Sequence, residues 1–339
     1  MVSIVVPIYN EEELVTQFHE AVTRAMNDVV DEWEVVYVND GSTDASMELL
    51  KGLQSMDQHV VVVELSRNWG HMGAIMAGLH TAVGDAVILM DGDFQDPPEV
   101  LPQFIAEWKK GAEVVVAVRR SRQERRKILS LLFPLFYRVF GALSDFPIPL
   151  NAGIFSLMDR KAVDSLIAMR ERNPYLPGLR AWIGYQSAIV YYDRQDRAAG
   201  DGKLSFISRI KYAVDAITGF SYKPLRLSFV LFALSCCAAV FFAAITLLSA
   251  DPVKSVIFGV SCSIFCMGSL LLLSVGVLGE YVGRVYDQVR ARPWSLISNV
   301  HRPRARIAAQ PAEVVMRNGA LAIQSDGVGA HDQPGVRAA

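Results

Sequence analysis

Residues 89–99 read LMDGDFQDPPE, and their first residues complete an apolar run, 86–90, that is typical of a buried parallel strand. Ligands of open α/β sheets bind beyond the carboxyl ends of the strands, so Asp91 and Asp93 stand where a site is expected. Two carboxylates on such a turn can share one hard divalent cation, with Gln95 orienting them and with water and phosphate oxygens as further ligands. A solvated acidic turn is the alternative, but the position at a strand end favours the metal site.

Strand and helix patterns alternate on both sides of this stretch. Each β-rich run in the first part of the chain is followed by an amphipathic or small-residue helix pattern, and the runs are 3–8, 34–38, 60–65 and 86–90, with later ones at 113–118 and 188–192. This alternation predicts an α/β fold with a doubly wound, Rossmann-like and mostly parallel sheet.

Polar side chains collect just past successive strands of the predicted sheet: Tyr9, Glu11, Asp40, Ser42, Arg67, Asn68, Asp91 and Asp93. Each one alone fits a turn or a helix cap, as Ser42 does for the helix that follows it. A carboxylate at a strand end, such as Asp40, is also a common acceptor for the base or ribose of a nucleotide. The coincidence of several such ends favours a nucleotide site at one edge of the sheet.

The chain has 339 residues, of which 52% are hydrophobic and 20% charged, and this balance indicates a soluble domain combined with a few membrane spans. Two uncharged segments, 227–250 and 255–279, are each longer than the roughly 20 residues that cross a bilayer. Only 251–254 separates them, so they predict a transmembrane hairpin. The formal net charge of -2 gives no case for nucleic-acid binding.

The charges around the hairpin predict its orientation. Lys254 alone lies in the turn, whereas the outer ends are flanked by Lys223, Arg226, Arg284, Arg290 and Arg292. The positive-inside rule then places both termini in the cytosol, in a multi-pass protein of the cell (inner or plasma) membrane, and the N-terminus shows no signal-peptide pattern. The spacing of Gly279 and Gly283 fits either a homo-oligomer packed through these helices or a chance occurrence in a glycine-rich span.

Two further segments are predicted to contact the membrane surface. A basic run, 119–127, leads directly into the apolar segment 128–143, and 204–220 has the pattern of an amphipathic helix before the first span. A solvated loop is the alternative for the basic run. Arg119 and its neighbours also suit the recognition of phosphate groups.

Several of these motifs together resemble a known family. The segments 5–11, 38–44 and 65–68 are similar to the opening motifs of family 2 glycosyltransferases with the GT-A fold, and 91–99 is similar to their metal motif. Within that family the chain resembles the polyprenyl-phosphate glycosyltransferases, which include bactoprenol glucosyltransferases and dolichyl-phosphate mannose synthases. The features that narrow the resemblance are 157–160, 180–184, 194–203 and the paired C-terminal spans, and the match covers roughly residues 2 to 297.

The resemblance implies the transfer of a single hexose from a nucleotide-diphosphate sugar, such as a UDP-hexose, to polyprenyl phosphate. Glucose is the best guess for the hexose. The reaction is expected to invert the anomeric carbon and to take place at the cytosolic membrane face. It implies Mg²⁺ or Mn²⁺ held by Asp91, Asp93 and Gln95, which with Arg119 form the expected catalytic group. The expected substrate-binding residues are Pro7, Tyr9, Glu11, Asp40, Ser42 and Arg67, together with Arg194, Arg197 and Lys203 for phosphate groups.

The predicted organisation follows from the resemblance and the spans. A GT-A domain is expected over 1–203, a juxtamembrane amphipathic helix over 204–224, and two transmembrane helices within 225–282. A basic cytosolic segment over 283–307 and a disordered tail over 308–339 complete the chain.

The chain departs from the pattern at Gly153-Ile154-Phe155-Ser156, where the enzymes it resembles commonly read Gly-Asp-Phe-Arg. Their aspartate is often proposed as the catalytic base. A phosphate monoester has a second pKa of about 6, so the acceptor oxygen is mostly ionised near neutral pH and needs positioning more than proton removal. Our hypothesis is that catalysis proceeds without this base.

Two other functions are weighed against this one. Ile154 and Ser156 support a membrane-anchored protein that binds a nucleotide-sugar or a partner without turnover, and the intact metal motif opposes it. A processive polysaccharide synthase would carry a Gln-x-x-Arg-Trp motif and more spans, and the sequence has neither.

Overall fold

The structure is a computed structural model that describes residues 1–120, 152–169, 171, 175–193, 223–248, 251–303, 314–317 and 320–323. Within these residues, eight strands form one sheet: β1 Val2–Ile8, β2 Trp33–Asn39, β3 Val60–Leu65, β4 Ala86–Leu89, β5 Val114–Arg119, β6 Ala152–Asp159, β7 Ser187–Tyr192 and β8 Ile297–His301. Their order is β7-β5-β6-β4-β1-β2-β3-β8.

Helices cover both faces of this sheet. They are α1 Val15–Asn27, α2 Ser46–Met56, α3 His71–Thr81, α4 Leu101–Lys109, α5 Arg160–Ala168 and α6 Leu176–Trp182. One apolar cluster joins α1, α2 and α4 to one face, and a second joins α3, α5 and α6 to the other. The strands between them are buried on both sides, which explains their continuous valine-rich runs. The predicted α/β fold is confirmed.

The sheet is mostly parallel, with two strands reversed. Of the pairings between described strands, β1–β2, β1–β4, β2–β3 and β5–β7 are parallel, whereas β6 runs antiparallel to β4 and β5, and β8 runs antiparallel to β3. The sheet therefore differs from a purely parallel doubly wound sheet. The carboxyl ends of β1 to β5 and β7 all lie at one edge, where β6 begins.

Sequence patterns did not predict β6 and β8 as strands. Gly153 and Ser156 interrupt the apolar run of β6, and β8 is mainly polar. Residues 295–301, within the segment 283–307 that was expected to be basic and cytosolic, thus lie at the edge of the sheet. The Leu296 carbonyl accepts from the Ser66 N–H (2.9 Å), and the Ser295 hydroxyl donates to the Gly73 carbonyl of α3 (3.0 Å).

Two long helices precede β8: α7 Lys223–Leu248 and α8 Pro252–Val289. Among the described residues these are the helices long and apolar enough to cross a membrane, with apolar windows at Ser228–Ile245 and Ser255–Val289. They pack against each other, as the hairpin predicted at 227–250 and 255–279 requires. Gly279 and Gly283 of α8 face open space, so their role in a homo-oligomer stays a prediction.

Two segments predicted to contact the membrane surface lie wholly or mostly outside the described residues. One is the amphipathic helix expected at 204–220, and the other is the basic run at 119–127 with the apolar segment after it. In the tail, for which disorder was predicted, the strands β9 Val314–Arg317 and β10 Ala320–Ile323 pair antiparallel.

A buried polar network joins α1 to the sheet away from the carboxyl edge. The His19 ring lies 3.2 Å from the Tyr37 hydroxyl through Nδ1 and 3.2 Å from the Asp57 carboxylate through Nε2. His59 contacts the other Asp57 oxygen at 2.7 Å and stacks on Trp33. Burial lowers the pKa of His19, and the Asp57 charge opposes that shift only in part.

This network predicts an acid-sensitive stability. Because the folded-state pKa of His19 lies below its unfolded value of about 6.5, the unfolded state binds the proton more readily. The contribution of His19 to the free energy of unfolding should be fully present above about pH 7, and it should fall as the pH drops through 6.5. Denaturant titrations of the purified protein at pH 7.5 and 5.5 measure it. His19→Gln should reduce the difference, leaving a part from His80, whose pKa burial also lowers. Equal pH dependence in both proteins would contradict the assignment.

Candidate functional site

The loops after β1 and β2 are fastened together at the carboxyl edge of the sheet. The Asn10 N–H donates to the Ser42 hydroxyl (3.1 Å), and the Thr43 N–H donates to the Asn10 side-chain oxygen (2.8 Å). The Glu11 N–H donates to the Ser46 hydroxyl (2.9 Å). These bonds fix the backbone beside Tyr9 and Glu11, so two predicted substrate-binding positions lie next to Ser42.

Asp40 organises the next loop. Its buried carboxylate accepts from the backbone N–H groups of Trp69 (2.7 Å) and Gly70 (3.0 Å), one on each oxygen. Burial raises the pKa of this carboxyl, and the two donors oppose the rise. The Arg67 guanidinium stacks on the Trp69 indole, 3.7 Å from the ring centroid. Asp40 thus holds the segment that carries Arg67.

Gly41 permits this close approach. Its φ is +67°, and a Cβ there would lie 2.6 Å from the backbone of both Arg67 and Asn68. Only glycine avoids both the strained conformation and the clash. The loop after β2 can therefore contact the loop after β3 this closely only with glycine at position 41.

The acidic turn after β4 lies at the same edge. The Asp91 Oδ1 atom is buried and has no hydrogen-bond partner, and His71 Nε2 at the start of α3 stands 3.3 Å from it. Asp93 is 7% exposed and accepts from the Gln95 N–H (3.1 Å). Phe94 adopts a φ of 60° and packs edge-on against Phe18 of α1, which anchors the turn to the core.

This turn fits a divalent cation. Carboxylate oxygens are the ligands that Mg²⁺ and Mn²⁺ take most readily, and the unbonded Asp91 Oδ1 is an atom for which such a cation would supply the missing partner. Among the described residues no cluster of three or more His, Cys, Asp or Glu side chains forms a complete metal cage. A cation at Asp91 and Asp93 would therefore need water and substrate oxygens as further ligands.

Arg119, at the end of β5, is tied to the acidic turn through Tyr192. The Arg119 Nε group donates to the Tyr192 hydroxyl (3.2 Å), which donates to the buried Asp96 carboxylate (2.7 Å). Burial and the Asp96 charge raise the pKa of Tyr192 to about 12, so its hydroxyl stays protonated. Arg119 lies beside Gly153, because a Cβ at Gly153 would stand in ordinary van der Waals contact, 3.4 Å, with the Arg119 guanidinium.

The start of β6 completes the edge. The pairing of Leu89 with Ser156 runs antiparallel, so Ile154 lies beside the end of β4 where Asp91 follows. Arg180 of α6 is buried and donates to the carbonyls of Gly153 (3.1 Å) and Ile154 (3.5 Å).

The described strand ends thus bring most of the predicted site residues to one edge: Pro7, Tyr9, Glu11, Asp40, Ser42, Arg67, Asp91, Asp93, Gln95 and Arg119. Arg194, Arg197 and Lys203 lie outside the described residues. The predicted site residues do not include His71, Tyr192 or Arg180. His71 had a usable signal, because it begins the helix that follows the polar loop 66–70 at the end of β3.

Gly41 generates a test of this packing. Gly41→Ala should lower the free energy of unfolding by about 1–3 kcal/mol, because the methyl group displaces the loop that Asp40 holds. Gly52→Ala is the matched control, since nothing lies within 4 Å of its Cβ position inside α2, and it should stabilise by up to about 1 kcal/mol. Denaturant unfolding measures both. Equal effects of the two variants would refute the close contact at Gly41.

Residues 3–167 match the family described as Glycosyl transferase family 2. The chain is 37% identical over 298 residues to the uncharacterized glycosyltransferase YkcC of Bacillus subtilis, covering 87% of this chain and 92% of that one. It is 36% identical over 305 residues to the SfII prophage-derived bactoprenol glucosyl transferase of Shigella flexneri, covering 89% and 98%.

Among solved structures, glucosyl-3-phosphoglycerate synthase from Mycobacterium tuberculosis matches with a TM-score of 0.43 and 21% identity, covering 65% of this chain and 80% of that one. The family is shown by the relatives, which are at least 36% identical and similar over nearly their whole length. The chain belongs to glycosyl transferase family 2.

Proposed function

We propose that the protein transfers a single hexose, glucose in the first instance, from a UDP-hexose to polyprenyl phosphate at the cytosolic face of the cell membrane, with inversion at the anomeric carbon. The observation that carries the proposal is the acidic turn: Asp91 and Asp93 at the end of β4, with a buried and unbonded Asp91 oxygen, beside the loops of β1 and β2. The bactoprenol glucosyl transferase of Shigella flexneri, similar over 98% of its length, supports the choice of sugar and acceptor.

The donor is bound by the carboxyl edge. Tyr9, Glu11, Asp40 and Ser42 line the nucleotide pocket, with Pro7 and Arg67 beside it. Asp91 and Asp93, with Gln95, would hold Mg²⁺ or Mn²⁺, and the cation would supply positive charge that stabilises the departing diphosphate. Arg119 faces the same phosphates, held in place through Tyr192, and Arg194, Arg197 and Lys203 are assigned to the phosphate groups as well.

The acceptor comes from the membrane. The apolar windows of α7 and α8 support a two-helix anchor in the bilayer, with both termini cytosolic. An acceptor with a polyprenyl tail then stays in the lipid while its phosphate reaches the edge of the sheet. The ionised phosphate oxygen attacks the anomeric carbon directly, so Ile154 in place of a carboxylate does not stop the reaction.

Sugar transfer to lipid tests the function. Membranes containing the protein are incubated with polyprenyl phosphate, Mg²⁺ or Mn²⁺, and labelled UDP-glucose, UDP-galactose, UDP-GlcNAc or GDP-mannose in turn. We expect label in the organic extract from UDP-glucose, as a product with one hexose. Asp93→Asn should reduce the rate at least about 100-fold, because it removes a cation ligand.

Glu48→Gln is the control for this variant, because it removes an exposed carboxylate of α2 that lies outside the segment 91–99. It should keep the wild-type rate. No label from any donor, in a folded protein that binds nucleotide, would overturn the enzyme and favour the non-catalytic function. A product with many sugars would instead favour a processive synthase.

The missing base generates a separate prediction. Ile154→Asp should leave kcat within about tenfold of wild type at pH 7.5, because the acceptor phosphate is already ionised there. Ile154→Asn serves as the uncharged control of the same size. A rise in kcat of several orders of magnitude, seen for aspartate and absent for asparagine, would show that the reaction needs a base at this position.

A further inference from the structure

Arg180 is a buried cation without a described anionic partner. Its side chain is 4% exposed, and within the described part of the chain it donates to two neutral backbone carbonyls, Gly153 at 3.1 Å and Ile154 at 3.5 Å. Among the residues that the structure describes, no carboxylate lies within ion-pair distance of it. Burial lowers the pKa of the guanidinium to about 10, so it is still charged at neutral pH.

Such a charge is costly to keep in a folded protein. A buried arginine is normally paired with a carboxylate or a phosphate, because neutral acceptors recover only part of the lost hydration. The bond to Ile154 is also at the long limit for a hydrogen bond. A dianion brought to this place would gain from the charge and from the planar fork of N–H donors.

The position of Arg180 indicates which dianion. Ile154 packs into the same apolar cluster as Leu176 and Leu179 of α6, on the face of the sheet that also carries α3. His71, which contacts Asp91, begins α3 at this edge. Arg119 and Arg180 both lie beside Gly153: a Cβ at Gly153 would stand 3.4 Å from the Arg119 guanidinium, and Arg180 donates to the Gly153 carbonyl. Arg180 therefore lies beside the acidic turn, at the start of β6.

We propose that Arg180 is a specificity-determining residue that binds the phosphate monoester of the acceptor, exchanging its carbonyl bonds for phosphate oxygens. This inference rests on the proposed function for the identity of the acceptor, and it assigns the anion-binding role to α6. A carboxylate at position 154 would compete with the phosphate for this guanidinium. Isoleucine keeps the charge available.

Arg160 offers a matched comparison within the same fold. Its guanidinium also donates to backbone carbonyls, those of Gly84 (2.9 Å) and Ala82 (2.9 Å), but it lies at the opposite edge of the sheet. Asp164 stands 3.7 Å from it as a counter-charge. If arginine–carbonyl bonds only stabilise the fold, replacing Arg180 or Arg160 should have similar effects on farnesyl phosphate binding.

Binding of farnesyl phosphate to the purified full chain in detergent tests the proposal without requiring turnover. Titration calorimetry is run on wild type, Arg180→Gln, Arg180→Lys and Arg160→Gln, with farnesol and inorganic phosphate as comparison ligands and UDP as a readout of the donor site. Arg180→Gln should weaken farnesyl phosphate about 10–100-fold and leave UDP and farnesol unchanged. Arg180→Lys should lose less, and Arg160→Gln should bind like wild type. Ile154→Asp should bind farnesyl phosphate more weakly than Ile154→Asn.

Unchanged farnesyl phosphate binding in Arg180→Gln, or an equal loss in Arg160→Gln, overturns the assignment. A joint loss of UDP and farnesyl phosphate in Arg180→Gln also overturns it, because the role would then be structural. Inorganic phosphate that competes equally well identifies a free-phosphate site and rejects the lipid acceptor. If Arg180 binds farnesyl phosphate while no sugar reaches lipid, the proposed function fails and this inference stands.

Discussion

The candidate site depends on one buried carboxylate that accepts two backbone N–H groups. Asp40, at the end of β2, holds the loop after β3 through Trp69 and Gly70. That loop leads directly into α3, whose first residue, His71, contacts Asp91. Because Gly41 leaves no room for a side chain between the two loops, the geometry of three strand ends is set by this contact. Losing it would disturb residues far from one another in the sequence.

Sequence patterns predicted the strands best where both faces of the sheet are covered. The run 60–65 is β3 residue for residue, because buried valines on both faces leave no ambiguity of period. Strands β6 and β8 escaped prediction for a physical reason. Each is specified by its neighbours: β6 by pairing with β4 and β5, and β8 by the free edge of β3.

The same distinction applies to the site. Residues that follow strands could be found from the sequence, since parallel strands bring their carboxyl ends together. The roles of Tyr192 and Arg180 could not, because they come from contacts with Asp96 and with the start of β6, which are distant in the chain; for Arg180 the sequence offered only its place in the segment 180–184 of the family resemblance. A buried arginine in a short helix pattern has no local signature that distinguishes it from a solvated one. Only its surroundings reveal the uncompensated charge.

The return of the chain to the sheet as β8 has a mechanical consequence. The connection between Val289 of α8 and Ile297 spans at most roughly 29 Å when fully extended, and Ser295 and Leu296 within it are already bonded to α3 and to the loop after β3. With the helices in a bilayer, this short connection keeps the sheet close to the lipid surface. The distance between the carboxyl edge and the bilayer is then limited, so the edge can reach a phosphate only while the lipid tail of that phosphate holds it within this distance.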